Sequence, residues 1–182
     1  MALLCLALLA GALGCGGSGK PDPKQTVTDF WNAMKAGDYS KALSYMSTTL
    51  DLENIKKNLE GEEPGEKEIT DALIKKMDMV PKSSKTEGDN ATVNTEVTMP
   101  DMEKLVEEMF KLIGEMMESG MDISQMSEEQ IAAALMEKIG KIIGELPTVT
   151  KTMDIKMVWE ADAWKIKTNP FEDIEKAFER FQ

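Results

Sequence analysis

The chain has 182 residues, with 33 Asp and Glu against 21 Lys and Arg, a net charge of −12, no histidine and two cysteines. Without histidine, Ser-His-Asp and Cys-His catalysis and His-ligated zinc or haem are excluded. Both cysteines fall in the first 15 residues, so the body has no thiol chemistry, and the charge has the wrong sign for a nucleic-acid partner. Apolar residues make up 42% and charged residues 30% of the chain, a globular balance suited to a single domain.

The first segment, Ala2–Gly14, is uncharged and rich in Leu and Ala. It is too short to span a bilayer, which needs about 20 residues. A short apolar run ending in small residues reads as a secretory leader with its cleavage site. Its last residues, Ala12-Leu13-Gly14-Cys15, resemble a bacterial lipobox: an apolar residue at −3, a small one at −1, then the cysteine that takes the lipid. Ala12 stands where Leu is commoner, and no Lys or Arg precedes Lys20. Cys5 follows Leu4, where a small residue is required. The resemblance implies cleavage before Cys15, diacylglycerol on its thiol and acylation, for example with palmitate, of the new amine. Two or three acyl chains hold a protein stably on a membrane where one does not. The expected domain organisation is a lipoprotein signal peptide at 1–14, a flexible tether at 15–24 and one folded domain at 25–182. The tether reading rests on Gly, Ser, Pro and Lys with nothing apolar to pack.

Asp22-Pro23 predicts a helix start, an N-cap followed by Pro at the first helical position. Val27, Phe30, Trp31 and Met34 then make one apolar face, and Gly37 stops the helix. Asp38 caps a second short helix with Tyr39, Ala42, Leu43 and Met46 on one side. A third runs from about Leu50 to Leu59, is broken by Gly61–Gly65, and a fourth resumes from Glu66 to about Lys76. Met77–Val80 is an ambiguous strand that Pro81 restricts to a sheet edge. After the turn signal Gly88-Asp89-Asn90, the alternation Ala91, Val93, Thr95, Val97, Met99 predicts a strand with one buried face. A second long strand carries Val149, Met153, Ile155, Met157 and Trp159 on one parity. It turns at Glu160–Asp162 and returns through Trp164 and Ile166. Asn169-Pro170 opens a last helix with Phe171, Ile174 and Phe178.

Between the strands lies a helical insertion at about 101–146. Met102, Leu105, Val106, Met109, Leu112, Ile113 and Met116 form one stripe. Ile131, Leu135, Ile139, Ile142 and Leu146 form another, behind the capping box Ser127–Gln130. These stripes have two readings. They pack on each other and on the sheet as amphipathic helices do. Otherwise they form a flexible apolar groove, in keeping with the 15 methionines of the chain. The whole pattern predicts an α+β fold, an antiparallel sheet packed on N-terminal helices with an inserted helical hairpin and a C-terminal helix.

The segment Thr26–Leu43, in which a first helix ends in Gly37-Asp38 and a second begins Tyr39-Ser40-Lys41-Ala42, resembles the opening of nuclear transport factor 2-like (cystatin-like) domains. The closing Trp164-Lys165-Ile166 resembles the family's last strands. The combination with a lipobox is similar to a group of bacterial lipoproteins of unknown function. The resemblance implies a curved antiparallel sheet wrapped on helices around a conical pocket, where enzymes of the superfamily place an Asp, Glu, His or Tyr. The 101–146 insertion and the extra C-terminal helix depart from the minimal domain and could fill that pocket.

No Gly-rich phosphate loop and no calcium loop are present in the sequence, and no metal or cofactor is expected. Asp29 reads as a surface residue, Asp38 as a cap and Asp154 as a solvated strand residue with apolar neighbours. Asp154 is the first carboxylate to test as an acid or base. The expected function is a membrane-anchored, extracytoplasmic binding module, without catalysis, for a small apolar ligand or an envelope protein at the 101–146 helices. An outer membrane is included if the host has one. The alternatives are an enzyme using a buried carboxylate in the pocket and a structural envelope module. Catalytic, cofactor and metal residues are not assigned; Cys15 is the single site residue.

Overall fold

The computed structural model describes residues 19–61, 65–118 and 138–171. The leader, Cys15, the Ser127–Gln130 capping box and all of the C-terminal helix beyond Phe171 lie outside the described residues. The architecture is α+β. Four helices come first, α1 (Pro23–Lys35), α2 (Tyr39–Ser44), α3 (Leu52–Glu60) and α4 (Glu66–Lys76). Strands β1 (Asp78–Glu87) and β2 (Asn90–Pro100) follow, then α5 (Met102–Glu118), a helical segment α6 at 138–145, and the hairpin β3 (Thr148–Glu160) and β4 (Ala163–Ile166).

Local chemistry explains the helix boundaries. The Asp22 carboxylate accepts from Lys24 N at 3.0 Å with Pro23 at the first helical position, and Asp38 accepts from Lys41 N at 3.1 Å. Gly37 takes φ +72° directly after α1, the left-handed conformation that closes a helix. The third helix starts later than its apolar pattern suggests. It spans Leu52–Glu60, and Asp51 is its cap, accepting from Asn54 N at 3.0 Å.

The strands pair antiparallel in the order β1-β2-β3-β4. Along β2 the inward residues are Ala91, Val93, Thr95, Val97 and Met99, the parity read from the sequence. Ile155, Met157, Trp164 and Ile166 continue that buried face, and Val27, Phe30, Trp31 and Met34 of α1 close over it. Phe171 joins this core, its ring 6.2 Å from that of Phe30. β1 is longer than its apolar half, because Ser83–Glu87 pairs with β2 although exposed. An edge strand open to water needs no apolar alternation, so this half gave no periodic signal. Pro81 and a register shift between Pro81 and Ser83 interrupt the edge, which guards it against pairing with another chain. The far edge is covered: Ile166 N donates to Tyr45 O and Ser47 N to Ile166 O, each at 2.8 Å.

A second core lies at the other end of the sheet. It gathers Ile69 and Leu73 of α4, Leu105, Met109, Leu112 and Met116 of α5, and Ile139, Ile143 and Leu146. The stripe read from the sequence was too broad. Ile113, 42% exposed, falls off the buried line, whereas Ile142 packs against this core half-buried and Ile143, outside the stripe, is fully buried. Asp101 N donates to Pro147 O at 2.9 Å and closes the base of this helical unit where β2 ends and β3 begins.

Candidate functional site

The most specific polar constellation of the described residues is at their N-terminal end, around Lys20. Trp159 and Trp164 face each other across the β3–β4 hairpin, edge to face, with ring centroids 5.3 Å apart. Indoles carry negative π-faces, so a cation beside the pair is attracted by about 0.5–2 kcal/mol. Lys20 supplies it: its ammonium lies 5.1 Å from one ring centroid and 5.3 Å from the other. The same ammonium donates to Gly88 O at 2.9 Å and pairs with the Asp89 carboxylate in the β1–β2 turn. With 17% of its side chain exposed, Lys20 is largely removed from water. The next residue is held as well, since Trp164 Nε1 donates to Pro21 O at 2.8 Å. Asp22 then accepts a hydrogen bond from Ser84 Oγ at 3.3 Å on β1. The sequence reading placed residues 15–24 in a tether. In the structure Lys20, Pro21 and Asp22 are attached to the sheet, and Pro23 and Lys24 belong to α1. A lysine set against two tryptophans that lie about 140 residues further on has no local sequence signature.

A second cluster joins α2 to α4. Tyr39 Oη donates to Asp71 Oδ1 at 2.6 Å, Lys67 Nζ donates to Asp71 Oδ2 at 2.7 Å, and the Lys67 ammonium sits 5.7 Å from the Tyr39 ring centroid. Burial, reinforced by the hydrogen bond to Asp71 and by its charge, pushes the Tyr39 phenol well above its ordinary value. For Asp71 partial burial works upward. The hydrogen bonds from Lys67 and Tyr39 and the charges of Lys67 and Lys75 outweigh it and hold the carboxyl below its ordinary value. Asp78 behaves alike: burial raises it, and hydrogen bonds from Trp31 Nε1 at 3.0 Å and Lys35 Nζ at 3.3 Å bring it lower. These groups are kept in their resting charge states, Tyr39 neutral and both aspartates ionised. A general base near neutral pH needs a carboxyl raised by desolvation, and both shifts run the other way.

The carboxylates singled out from the sequence stay apart. Asp154 is exposed and accepts from Asn94 Nδ2 at 3.1 Å across the outer face of the sheet. Asp29 accepts from Gln25 Nε2 at 2.8 Å on the solvent side of α1. Among the described residues the buried polar side chains are Ser47 and Thr95, and no carboxylate is buried. Ser47 Oγ donates to Glu160 Oε1 at 2.8 Å and Thr95 Oγ1 to Val93 O at 3.3 Å. Among the described residues no three carboxylates or thiols are gathered as a metal ion would require. No described helix is long and apolar enough to cross a membrane. Cys15 lies outside the described residues.

On α5 the residues Leu105, Met109, Leu112 and Met116 are buried in the second core, whereas Phe110 is 60% and Ile113 42% exposed.

No family model matches the chain, and no curated protein matches it. Among solved structures it is similar to a Bacillus subtilis protein provisionally called a lipoprotein (ycdA). The identity is 18%, the TM-score is 0.45, and the match covers 85% of this chain and 45% of the other. The chain thus spans less than half the length of that protein.

Proposed function

We propose that this chain is a lipid-anchored extracytoplasmic protein, with Cys15 as the lipid-bearing residue and a non-catalytic α+β body of the nuclear transport factor 2-like kind. The observation that carries the reading is the placement of Cys15. It ends an uncharged Leu/Ala run behind Ala12-Leu13-Gly14, and the folded body begins at Lys20, five residues later. The order of helices before an antiparallel sheet, with Trp164 and Ile166 turned inward at its end, supports the family resemblance. The lowered Asp71 and Asp78 and the exposed Asp154 support a binding role over carboxylate catalysis. The ligand class is a small apolar molecule or an envelope protein, met at the 101–146 helices.

The test is the mass of the mature N-terminus from the membrane fraction of a bacterial host, for wild type and Cys15→Ser. The expected result is a chain beginning at Cys15 with a diacylglyceryl group, and an uncut, unlipidated Cys15→Ser product. An unmodified wild-type terminus at Met1 overturns the anchor.

A further inference from the structure

We infer that the domain stands on the turn end of its sheet, with the β1–β2 and β3–β4 turns against the bilayer and the end of the sheet that carries the base of α5 and α6 farthest from it. The inference rests on the lipid anchor at Cys15 and adds an orientation to it.

Three observations carry it. The first is the point where the chain leaves the body. Lys20 is fixed to Gly88 and Asp89 of one turn and to Trp159 and Trp164 beside the other, and Pro21 is held by the Trp164 indole. The two turns share one end of the sheet, since Asn90 pairs with Val158 and Trp159 N donates to Asp89 O at 2.8 Å. The second is the length of the leash. Five residue steps from Cys15 to Lys20 reach at most about 18 Å even when fully extended. Without the Lys20 and Pro21 contacts the chain would be free as far as α1, adding three residues and about 10 Å. The third is the place of the helical unit. Its base, Asp101 N to Pro147 O, sits where β2 and β3 meet at the opposite end. From Asn90 to Pro100 the strand covers ten steps, about 33 Å at the usual strand rise. The base of α5 and α6 therefore lies farther from the exit point than the leash can reach.

Charge decides between standing and lying. A chain of net charge −12 is repelled by anionic headgroups, so lying flat on such a leaflet is unfavourable. Glu87, Asp89 and Asp162 are exposed at the anchored end, so the leash and not adhesion keeps that end close. The end of the sheet that carries the base of the helical unit then faces the aqueous space. Of the two ligand classes, this favours a partner arriving from that space over a lipid taken from the bilayer.

The experiment uses the full chain, expressed with its leader, extracted from membranes and reconstituted in vesicles of zwitterionic and anionic phospholipid that carry an acceptor dye on the headgroup. Cleavage removes Cys5 and the thioether blocks Cys15, so Glu87→Cys and Glu103→Cys each offer one thiol for a donor dye. Glu87 sits in the exposed turn end and Glu103 in the first turn of α5. Energy transfer is expected to be several-fold higher from position 87 than from position 103. Inserting ten Gly/Ser residues between Gly19 and Lys20 should erase most of that difference. Equal transfer, or more from position 103, in protein whose terminus carries the lipid overturns the orientation and leaves the anchor standing. An unlipidated terminus in the same sample overturns both.

Discussion

Replacing Leu105 with Ala tests whether the α5 stripe is core or an open groove. Leu105 is 1% exposed and packs among Ile69, Leu73, Met109, Ile139 and Ile143. The substitution removes three carbons from the interior, about 2.4 kcal/mol at roughly 0.8 kcal/mol per buried methylene. The cavity left behind raises the loss to about 3–4 kcal/mol if the neighbours do not collapse into it. Ile113→Ala on the same helix, at 42% exposure, is the control and should lose less than about 1 kcal/mol. The assay is equilibrium unfolding in urea, followed by tryptophan fluorescence and far-ultraviolet circular dichroism. The three tryptophans belong to the main core, whereas circular dichroism reports every helix. Helix α4 serves both cores, with Ile74 in one and Ile69 and Leu73 in the other, so the two probes should move together. A Leu105→Ala loss below about 1 kcal/mol, indistinguishable from that of Ile113→Ala, would falsify the core assignment.

Other consequences are open to measurement. The folded-state values of Asp71 and Asp78 lie below the ordinary carboxyl value of about 3.9. Their contribution is therefore complete above that pH and is lost as pH falls through the lowered values. An Asp71→Asn/Asp78→Asn variant should be less stable than wild type by a constant margin from pH 8 to pH 5. The margin should shrink below about pH 4 in urea titrations across that range; a margin that widens on acidification would reverse the sign argued here. Trp164→Phe deletes the donor to Pro21 O and also shrinks a buried indole to a phenyl ring, and should lose about 2–3 kcal/mol. Lys20→Ala should lose about 0.5–2 kcal/mol and shift tryptophan emission. No change in either variant would mean that residues 20–21 are not held. Gly37→Ala meets open space and should lose only the left-handed strain, about 1–2 kcal/mol. Gly61 combines φ +71° with ψ 140°, outside the left-handed helical region and costlier for a Cβ, and an Ala Cβ would lie 2.8 Å from Glu66 Cβ and Lys67 N, so the melting temperature of Gly61→Ala should fall further.

Periodicity and capping residues were enough to place most elements. Asp22-Pro23, Asp38 and Gly37 act through their own backbone neighbours, and alternation along β2 follows from one buried face, so these features are local and legible. The polar half of β1 was not, because an exposed edge strand is defined by its partner and not by its own pattern. The α5 stripe was read too wide. Apolar residues at helical spacing show which side faces inward, but only the packing partners α4 and α6 separate buried Leu105 from exposed Ile113.

The candidate site divides in the same way. The lipobox-like run that ends at Cys15 can be read from the sequence because it is contiguous along the chain. The clamp was invisible because Lys20, Asp89, Trp159 and Trp164 meet only once the sheet has formed. Composition fixed the net charge and excluded histidine chemistry outright, since neither depends on folding. Which side chains of α1 and α2 stand beside Asp78 and Asp71, where Lys20 is held and which end of the sheet carries the base of α5 and α6 depend on tertiary structure alone. Each is a distance between residues remote in the chain, and no residue carries that information by itself.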